Sequence, residues 1–483
     1  MTDPSLMTGL ARLDFGWITT MHIIYPPLTI GLAAFLFFSE WRWLKTNNDE
    51  WYRLTRFFEK LFIINFGAGV ATGITMEMSF GILFGPFSQA AGPFFGNILG
   101  YETITAFMYE AGFIGLMIFG WGKISKKMHL FATFNVTFSS MLSAMWILDA
   151  NSWMQTPTGV HIEKGLFLVD SWTDAIFNPN FLTAFPHMLI ACFEIGLFFV
   201  ASVSAWMIYK NRYPKLFLRT LTTSLMALVI VAPLQVYMGD ALGQSVAKHD
   251  PAALASMEGH WHTYNADGSP NTSWNLIAWP NEAKGTNDFQ IAIPHVLSLL
   301  EDHQWVSTVT GLDQFKKSDR PPVLIPFYSF RIMVMAGMAL MLVAFWALYL
   351  RMRGQFTATR LQQHHWFLRA VILSSTLPYL AIWTGWWTRE VARQPWIIHG
   401  LMRTSEGVSQ MSITAEIIWF IGFMFFDLLV WFGAWYFFSK VIRKGPDMKT
   451  DVIHGVTPEA MHLGDMPNEE VAEGKPLFVR PTV

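Results

Sequence analysis

Residues 181–208 read FLTAFPHMLIACFEIGLFFVASVSAWMI. As a helix this run is about 42 Å long at ~1.5 Å per residue, enough to cross the ~30 Å hydrocarbon core of a bilayer. Eight further apolar runs flank it, at 15–39, 61–82, 97–121, 129–150, 217–239, 323–350, 370–388 and 412–439. The expected fold is therefore all-α: a polytopic membrane protein with nine transmembrane helices. Composition points the same way. Of the 483 residues 52% are hydrophobic and only 14% charged, against about 25% charged in a soluble domain. So little charge cannot cover the surface of a soluble protein this large. The first run is too long for a secretory signal and no small-residue cleavage site follows it, so it is read as a retained helix. A net charge of -2 gives no sign of a nucleic-acid partner. The one cysteine, Cys192, lies in the quoted run, which rules out an internal disulfide and a cysteine-based metal site.

Lys and Arg set the expected orientation. Sixteen of them lie in or beside the connections 40–60, 122–128, 209–216 and 351–369, whereas 83–96, 151–180 and 389–411 hold only Lys164, Arg389, Arg393 and Arg403. The first group is read as cytoplasmic, which places the N-terminus outside and the C-terminus in the cytoplasm. Residues 1–239 then hold helices one to six. Residues 240–322 form an outer insertion, rich in Asn, Asp, Gly, Pro and His, with a short interfacial helix expected at Ile291–Leu300. Residues 323–444 hold helices seven to nine, and 445–483 form a polar cytoplasmic tail. Nothing resembles a pair of matched inverted halves, which weighs against a secondary transporter.

Ionisable groups inside such helices cost about 2.5–3.5 kcal/mol each on insertion scales and usually have a role. Of fourteen histidines, only His22 and His187 are read as lying well inside helices. The other candidates are Glu102 and Glu110 on helix three, Asp149 late in helix four, Arg331 and Met333 on helix seven, and Trp386, Glu390 and Arg393 at the end of helix eight. In the orientation above most of these fall in the outer half of the membrane. Buried polar residues with unrelated structural roles would scatter in depth, so one shared level favours a shared site. A lone buried His is as often a simple interhelical hydrogen-bonding residue, one Met among 27 is weak by itself, and Trp386 among 22 Trp also suits an interfacial belt.

An imidazole and a thioether, His187 and Met333, suit the axial positions of a low-spin haem. His22 and Glu390 could each hold a high-spin haem with an open position. Arg331 and Arg393 could pair haem propionates. Glu102 and Glu110, eight residues apart, are offset by about 80° on an α-helix and can line one side of a path. Two buried His are too few for a copper–haem oxidase or for two bis-His haems, and a CxxCH attachment is impossible with one Cys.

These residues sit in long motifs: RLDFGWITTMH ending at His22, NFGAGVATGITMEMSFG, YETITAFMYE, SAMWILDANSWMQTP, FPH at His187, SFRIM at Met333 and GWWTREVARQPW. Across all nine helices the chain resembles subunit I of the cytochrome bd quinol oxidases, in the short Q-loop form of the cyanide-insensitive subgroup. The resemblance implies that quinol is oxidised at the outer face and dioxygen reduced to water. Protons would be taken up vectorially from the cytoplasm without a pump, making the enzyme electrogenic in the bacterial inner membrane. By motif position, His187 and Met333 match the ligands of low-spin haem b, with Arg331 beside it. His22 matches a ligand of haem d, or of haem b in its place, and Glu390 the ligand of high-spin haem b. Glu102 matches a distal carboxylate, and Glu110, Ser143 and Asn151 match a proton route. Trp386 would lie between haems and Arg393 at a propionate. Asp240 and Glu258, in the Q-loop, match quinol-site positions. The implied partners are subunit II, a small single-helix subunit, quinol, dioxygen and surrounding lipid.

Two departures stand out. Ala392 replaces the family's Gly before RQPW, a change that a negative φ tolerates. Ala253 stands where the family commonly has a Lys, with Lys248 five residues earlier. Two other classes fit a helical bundle with buried acids: an ion-coupled transporter, and a haem-bearing electron-transfer anchor without oxygen chemistry. A reduced spectrum with and without carbon monoxide separates all three.

Overall fold

The computed structural model describes residues 4–450 and 452. The expected tail 445–483 lies almost wholly outside these. Among the described residues, nine helical stretches are long and apolar enough to cross a membrane. Short two-stranded hairpins are the only sheets among them.

The first span is longer than expected and bent. Helix α1 (Pro4–His22) ends at the histidine, and α2 (Pro26–Thr46) begins after three intervening residues. Pro26 and Pro27 cause the break. Neither has an N–H to give a preceding turn, whereas both fit the first turn of a new helix, where none is needed. His22 thus becomes a helix end, its carbonyl accepting from Tyr25 N–H at 3.1 Å. Helix α3 (Asp49–Ile82) returns antiparallel, capped by Asn48 Oδ1 accepting from Glu50 N–H at 2.9 Å.

The third span is two helices, α4 (Gly92–Glu102) and α5 (Met108–Phe119), joined through a π-helical turn at Thr103–Phe107. An i→i+5 turn takes more residues to come round, so each residue rotates the chain less. The 80° offset expected between Glu102 and Glu110 is therefore reduced, and both acids address the same neighbour. That neighbour is α6 (Lys126–Gln155), followed by the hairpin β1 (Val160–Glu163) and β2 (Leu166–Val169), then α7 (Phe181–Tyr209).

Helix α8 (Pro214–His249) runs ten residues past the expected end at 239. Asp240 is therefore on a helix and not in the loop. The insertion begins at Asp250, whose Oδ1 caps α9 (Pro251–Glu258) by accepting from Ala253 N–H at 3.1 Å. A hairpin follows, β3 (Trp274–Asn281) with β4 (Thr286–Ile293), turning at Gly285 with φ 67°. Residues Ile291–Ile293 are therefore strand, and the helix expected at Ile291–Leu300 starts at Val296. Next come α10 (Leu324–Met352), α11 (His365–Leu373), α12 (Leu377–Ala392) and α13 (Ile413–Lys444). The eighth span is broken between α11 and α12, where Pro378 sits in the new first turn.

The largest core cluster lies among α2, α3, α7 and α8 and is aromatic, with Trp43, Phe57, Phe58, Phe62, Phe198 and Phe217 buried in it. Within it α2 and α7 touch backbone to backbone at Gly31 and Gly196. A Cβ built on Gly196 would lie 2.5 Å from the Gly31 Cα. Small residues allow such an approach, and helix packing in membranes depends on it. We expect Gly31→Ala to force the pair apart at a cost of roughly 1–3 kcal/mol, read as a lower Tm of the purified protein. Gly243→Ala on α8, where an added Cβ meets nothing within 4 Å, should leave Tm unchanged.

Candidate functional site

Each candidate donor on α1, α7 and α10 faces a glycine. A Cβ on Gly73 would come within 3.3 Å of His22 Cε1, one on Gly239 within 3.3 Å of His187 Cε1, and one on Gly385 within 2.9 Å of Met333 Sδ. Three helices thus carry glycine where a larger residue would strike the imidazole edge or the methionine sulfur, so each of these side chains packs directly on backbone. His22 Nδ1 is 3.0 Å from the Thr72 hydroxyl. The Gln235 amide donates to His187 Nε2 at 3.4 Å, while His187 Nδ1 is buried with no protein partner among the described residues. Imidazole and thioether side chains fit iron ligation, and an orphaned buried ring nitrogen is what such a site leaves in the protein alone.

Each Glu390 oxygen has one protein partner and keeps a second lone pair. Asn151 donates to its Oε1 at 2.8 Å, and Arg393, four-percent exposed, pairs with its Oε2. Asn151, expected on a proton route, thus sits at Glu390. Its Oδ1 accepts from Arg389 Nε at 2.6 Å, and Arg389 reaches Asn180 Oδ1 at 2.6 Å. Arg389 was read only as a loop charge. Its position directly before Glu390, at a helix end, was the available signal. Trp386 is half-buried one turn before Glu390 on the same helix face. Ala392 closes α12 with negative φ, as its replacement of glycine requires.

The acids of the third span both meet hydroxyls of α6. The Ser143 hydroxyl donates to Glu102 Oε1 at 2.7 Å, and Ser140, absent from the expected set, donates to Glu110. The stripe continues down α6 through Thr133 and His129. Thr133 donates to Glu40 Oε2 at 2.6 Å, and His129 Nδ1 is 2.7 Å from Glu40 Oε1. His129, expected at a helix end, is therefore a buried histidine within a span. Asp149 accepts from Asn178 at 3.4 Å.

At the outer insertion, Glu258 is 4% exposed and forms an ion pair of 2.9 Å with Arg331. Arg331 also donates to the Met257 carbonyl at 2.7 Å and lies over the Phe327 ring at 3.6 Å. Its charge is thus engaged at Glu258, whereas the sequence placed it at a haem propionate. Burial pushes the Glu258 carboxyl above the usual range, and the Arg331 cation opposes that rise. Asp240, half-buried on α8, accepts from Gln244 at 2.7 Å and lies 3.6 Å from His303. Ala253 is 2% exposed, so a lysine there would have to push its stem through packed neighbours; Lys248 is exposed.

A family model described as cytochrome bd terminal oxidase subunit I matches residues 10–446. The cytochrome bd ubiquinol oxidase subunit 1 of Bacillus subtilis (strain 168) is 33% identical over 450 residues, covering 91% of this chain and 94% of that one. The cytochrome bd-II ubiquinol oxidase subunit 1 of Escherichia coli (strain K12) is 31% identical, covering 90% and 96%. Among solved structures, the bd oxidase from Geobacillus thermodenitrificans superposes with a TM-score of 0.82 at 27% identity, covering 91% of this chain and 99% of that chain.

The Glu258–Arg331 pair makes a prediction with a definite sign. Arg331→Met removes the opposing cation, so the Glu258 carboxyl rises further. A carboxyl held above its unfolded value contributes stability at acid pH that is lost as pH rises. The stability deficit relative to wild type should therefore be small near pH 4 and grow to roughly 3–5 kcal/mol near pH 8. Thermal melts across that range check it, and a deficit independent of pH would refute it.

Proposed function

The chain belongs to the cytochrome bd terminal oxidase subunit I family, and from that premise we propose how its residues divide the work of a haem-bearing quinol oxidase in the bacterial inner membrane. The observation that carries the reading is the placement of His22, His187 and Met333 each against a glycine. His187 and Met333 hold a low-spin haem b, Glu390 a high-spin haem b, and His22 a haem d or a haem b in its place. When bound, these haems pass electrons singly and reduce dioxygen to water.

Quinol binds at the outer insertion, beside Asp240 and Glu258. Its oxidation releases two electrons and two protons. Glu258 takes one of those protons, and its burial raises its affinity for it. Arg331 fixes the carboxylate in place and keeps its ionised form accessible. Protons for water formation travel from the cytoplasmic side along α6, past Glu40 and His129, through Thr133, to Ser140 with Glu110 and Ser143 with Glu102. Hydroxyls and carboxyls both give and accept protons, which suits this stripe to the task. With the N-terminus outside and the C-terminus inside, uptake from one face and release at the other separates charge without a pump. Subunit II and a small single-helix subunit complete the complex.

His187→Ala or Met333→Leu is expected to abolish the low-spin haem absorbance and quinol oxidation together. A normal low-spin spectrum in either variant sinks the ligand assignment. Glu258→Gln should impair quinol oxidation by about 10²-fold while leaving oxygen reduction from an artificial one-electron donor near wild type. Equal loss in both assays would remove Glu258 from the quinol site. A complex with no Soret absorbance at all would favour a transporter.

A further inference from the structure

Each quinol gives up two protons, and a single carboxylate can hold only one of them. Glu258 is 4% exposed, and Arg331 holds its Oε2 at 2.9 Å. A proton taken there has no direct way to bulk water, so it must pass to another group before the second arrives. Most neighbours cannot take it. Arg331 stays protonated, and the Trp274 indole, which lies toward Glu258, is a donor only. His260 is 1% exposed, and its charged neighbours are Asp313 and His262.

Glu301 is placed to take it. It lies in the helix Val296–Asp302, one turn after Leu297 and on the same face. Leu297 is buried in one cluster with Leu254 and Met257 of α9, against which Val246 and Ala247 of α8 and Phe330 of α10 pack. Glu301 thus lies on the face that packs against the helix ending at Glu258, and it is within electrostatic reach of that acid. The residue as a whole is half-buried, yet its Oε2 is buried with no partner among the described residues. An acid with only a surface role would turn both oxygens to water, because burying an unpaired one is costly. Burial, then the charges of Asp302 and Glu258, push the Glu301 carboxyl up to about 7. An acid that titrates there both accepts and releases protons near neutral pH. The next two residues, Asp302 and His303, are exposed, and His303 is 3.6 Å from Asp240 on α8. The chain therefore runs from a buried carboxyl oxygen to the surface within two residues.

We propose that Glu301 takes from Glu258 the proton that Glu258 accepts from quinol and releases it to water beside His303, emptying Glu258 for the second proton. The proposal rests on the quinol-site reading of Glu258 above. Quinol becomes quinone, losing two electrons to the haems and two protons in turn to Glu258. Each proton moves on as one O–H bond broken at Glu258 and one formed at Glu301, then one broken there and one formed on water. The direction is outward, which matches release at the outer face and leaves uptake along α6 unchanged.

The test mixes the purified oxidase complex, without oxygen, with one equivalent of ubiquinol-1 or menadiol, whichever the wild type oxidises, and follows haem reduction by absorbance. In Glu301→Gln the first electron should arrive at the wild-type rate and the second at least about tenfold more slowly, with a larger solvent isotope effect in D2O on the slow phase. Glu301→Asp keeps the acid and should restore most of the second phase. A second phase at the wild-type rate in Glu301→Gln overturns the relay. Equal slowing of both phases in the Gln and Asp variants also overturns it, since that marks a structural role. If Glu301→Gln does not assemble, Glu301→Ala is read with and without formate: formate should restore the second phase, and no rescue overturns the proposal. Glu258→Gln separates the two readings. Slowing of its first phase supports Glu258 as the acceptor, so that a negative result at Glu301 strikes the relay alone. Wild-type haem reduction in Glu258→Gln refutes the quinol-site reading and the relay with it.

Discussion

A polar group in hydrocarbon has no water to turn to, so it must find its partner inside the protein. Most of the arrangement in this chain follows from that requirement. Glu40 meets His129 and Thr133 across α2 and α6, Glu102 meets Ser143 across α4 and α6, and Glu390 meets Asn151 and Arg393 where α6 and α12 end. Each pairing fixes the rotation of one helix against another more tightly than apolar packing can, because a hydrogen bond fails within a few tenths of an ångström and a methyl contact does not. The exceptions are then informative. His187 Nδ1 and the oxygens of Asp14 and Glu416 have no partner among the described residues, and His187 is where something other than the chain is expected to bind.

The nine spans were legible because length and hydropathy alone decide them. Their interruptions were harder to see. The breaks after His22 and before Leu377, and the π turn at Thr103–Phe107, lie inside apolar runs, where a proline pair or a short polar patch does not alter mean hydropathy. These interruptions nonetheless matter for the site. The first makes His22 a helix end, and the π turn brings Glu110 toward the side of Glu102.

The ligand candidates were readable from residue type and motif, whereas their partners were not. Ser140 differs from a dozen other helical serines only in what faces it. Glu40 lies 89 positions from His129, and no periodicity links them. Arg331 shows the same limit: its motif suggested a propionate, and its charge is engaged by Glu258, 73 positions earlier. Of the insertion's α9, β3–β4 hairpin and Val296 helix, the sequence offered only the last, because runs of seven or eight residues are too short to stand out by hydropathy.

The length of α8 has a mechanical consequence. Its 36 residues rise about 54 Å in one helix, with Pro233 inside it, so the segment bearing Asp240 continues a membrane span. With Gln155 on α6 holding Asp250 at 2.9 Å, the near end of the insertion is clamped from two sides, and α10 anchors the far end. Lengthening the β3–β4 turn, where Ala283 and Lys284 are exposed, would extend a surface loop, which costs little in closure entropy, without shifting Asp240 or Glu258. The insertion is thus free to vary in size at its middle while its working residues stay in register with the bundle.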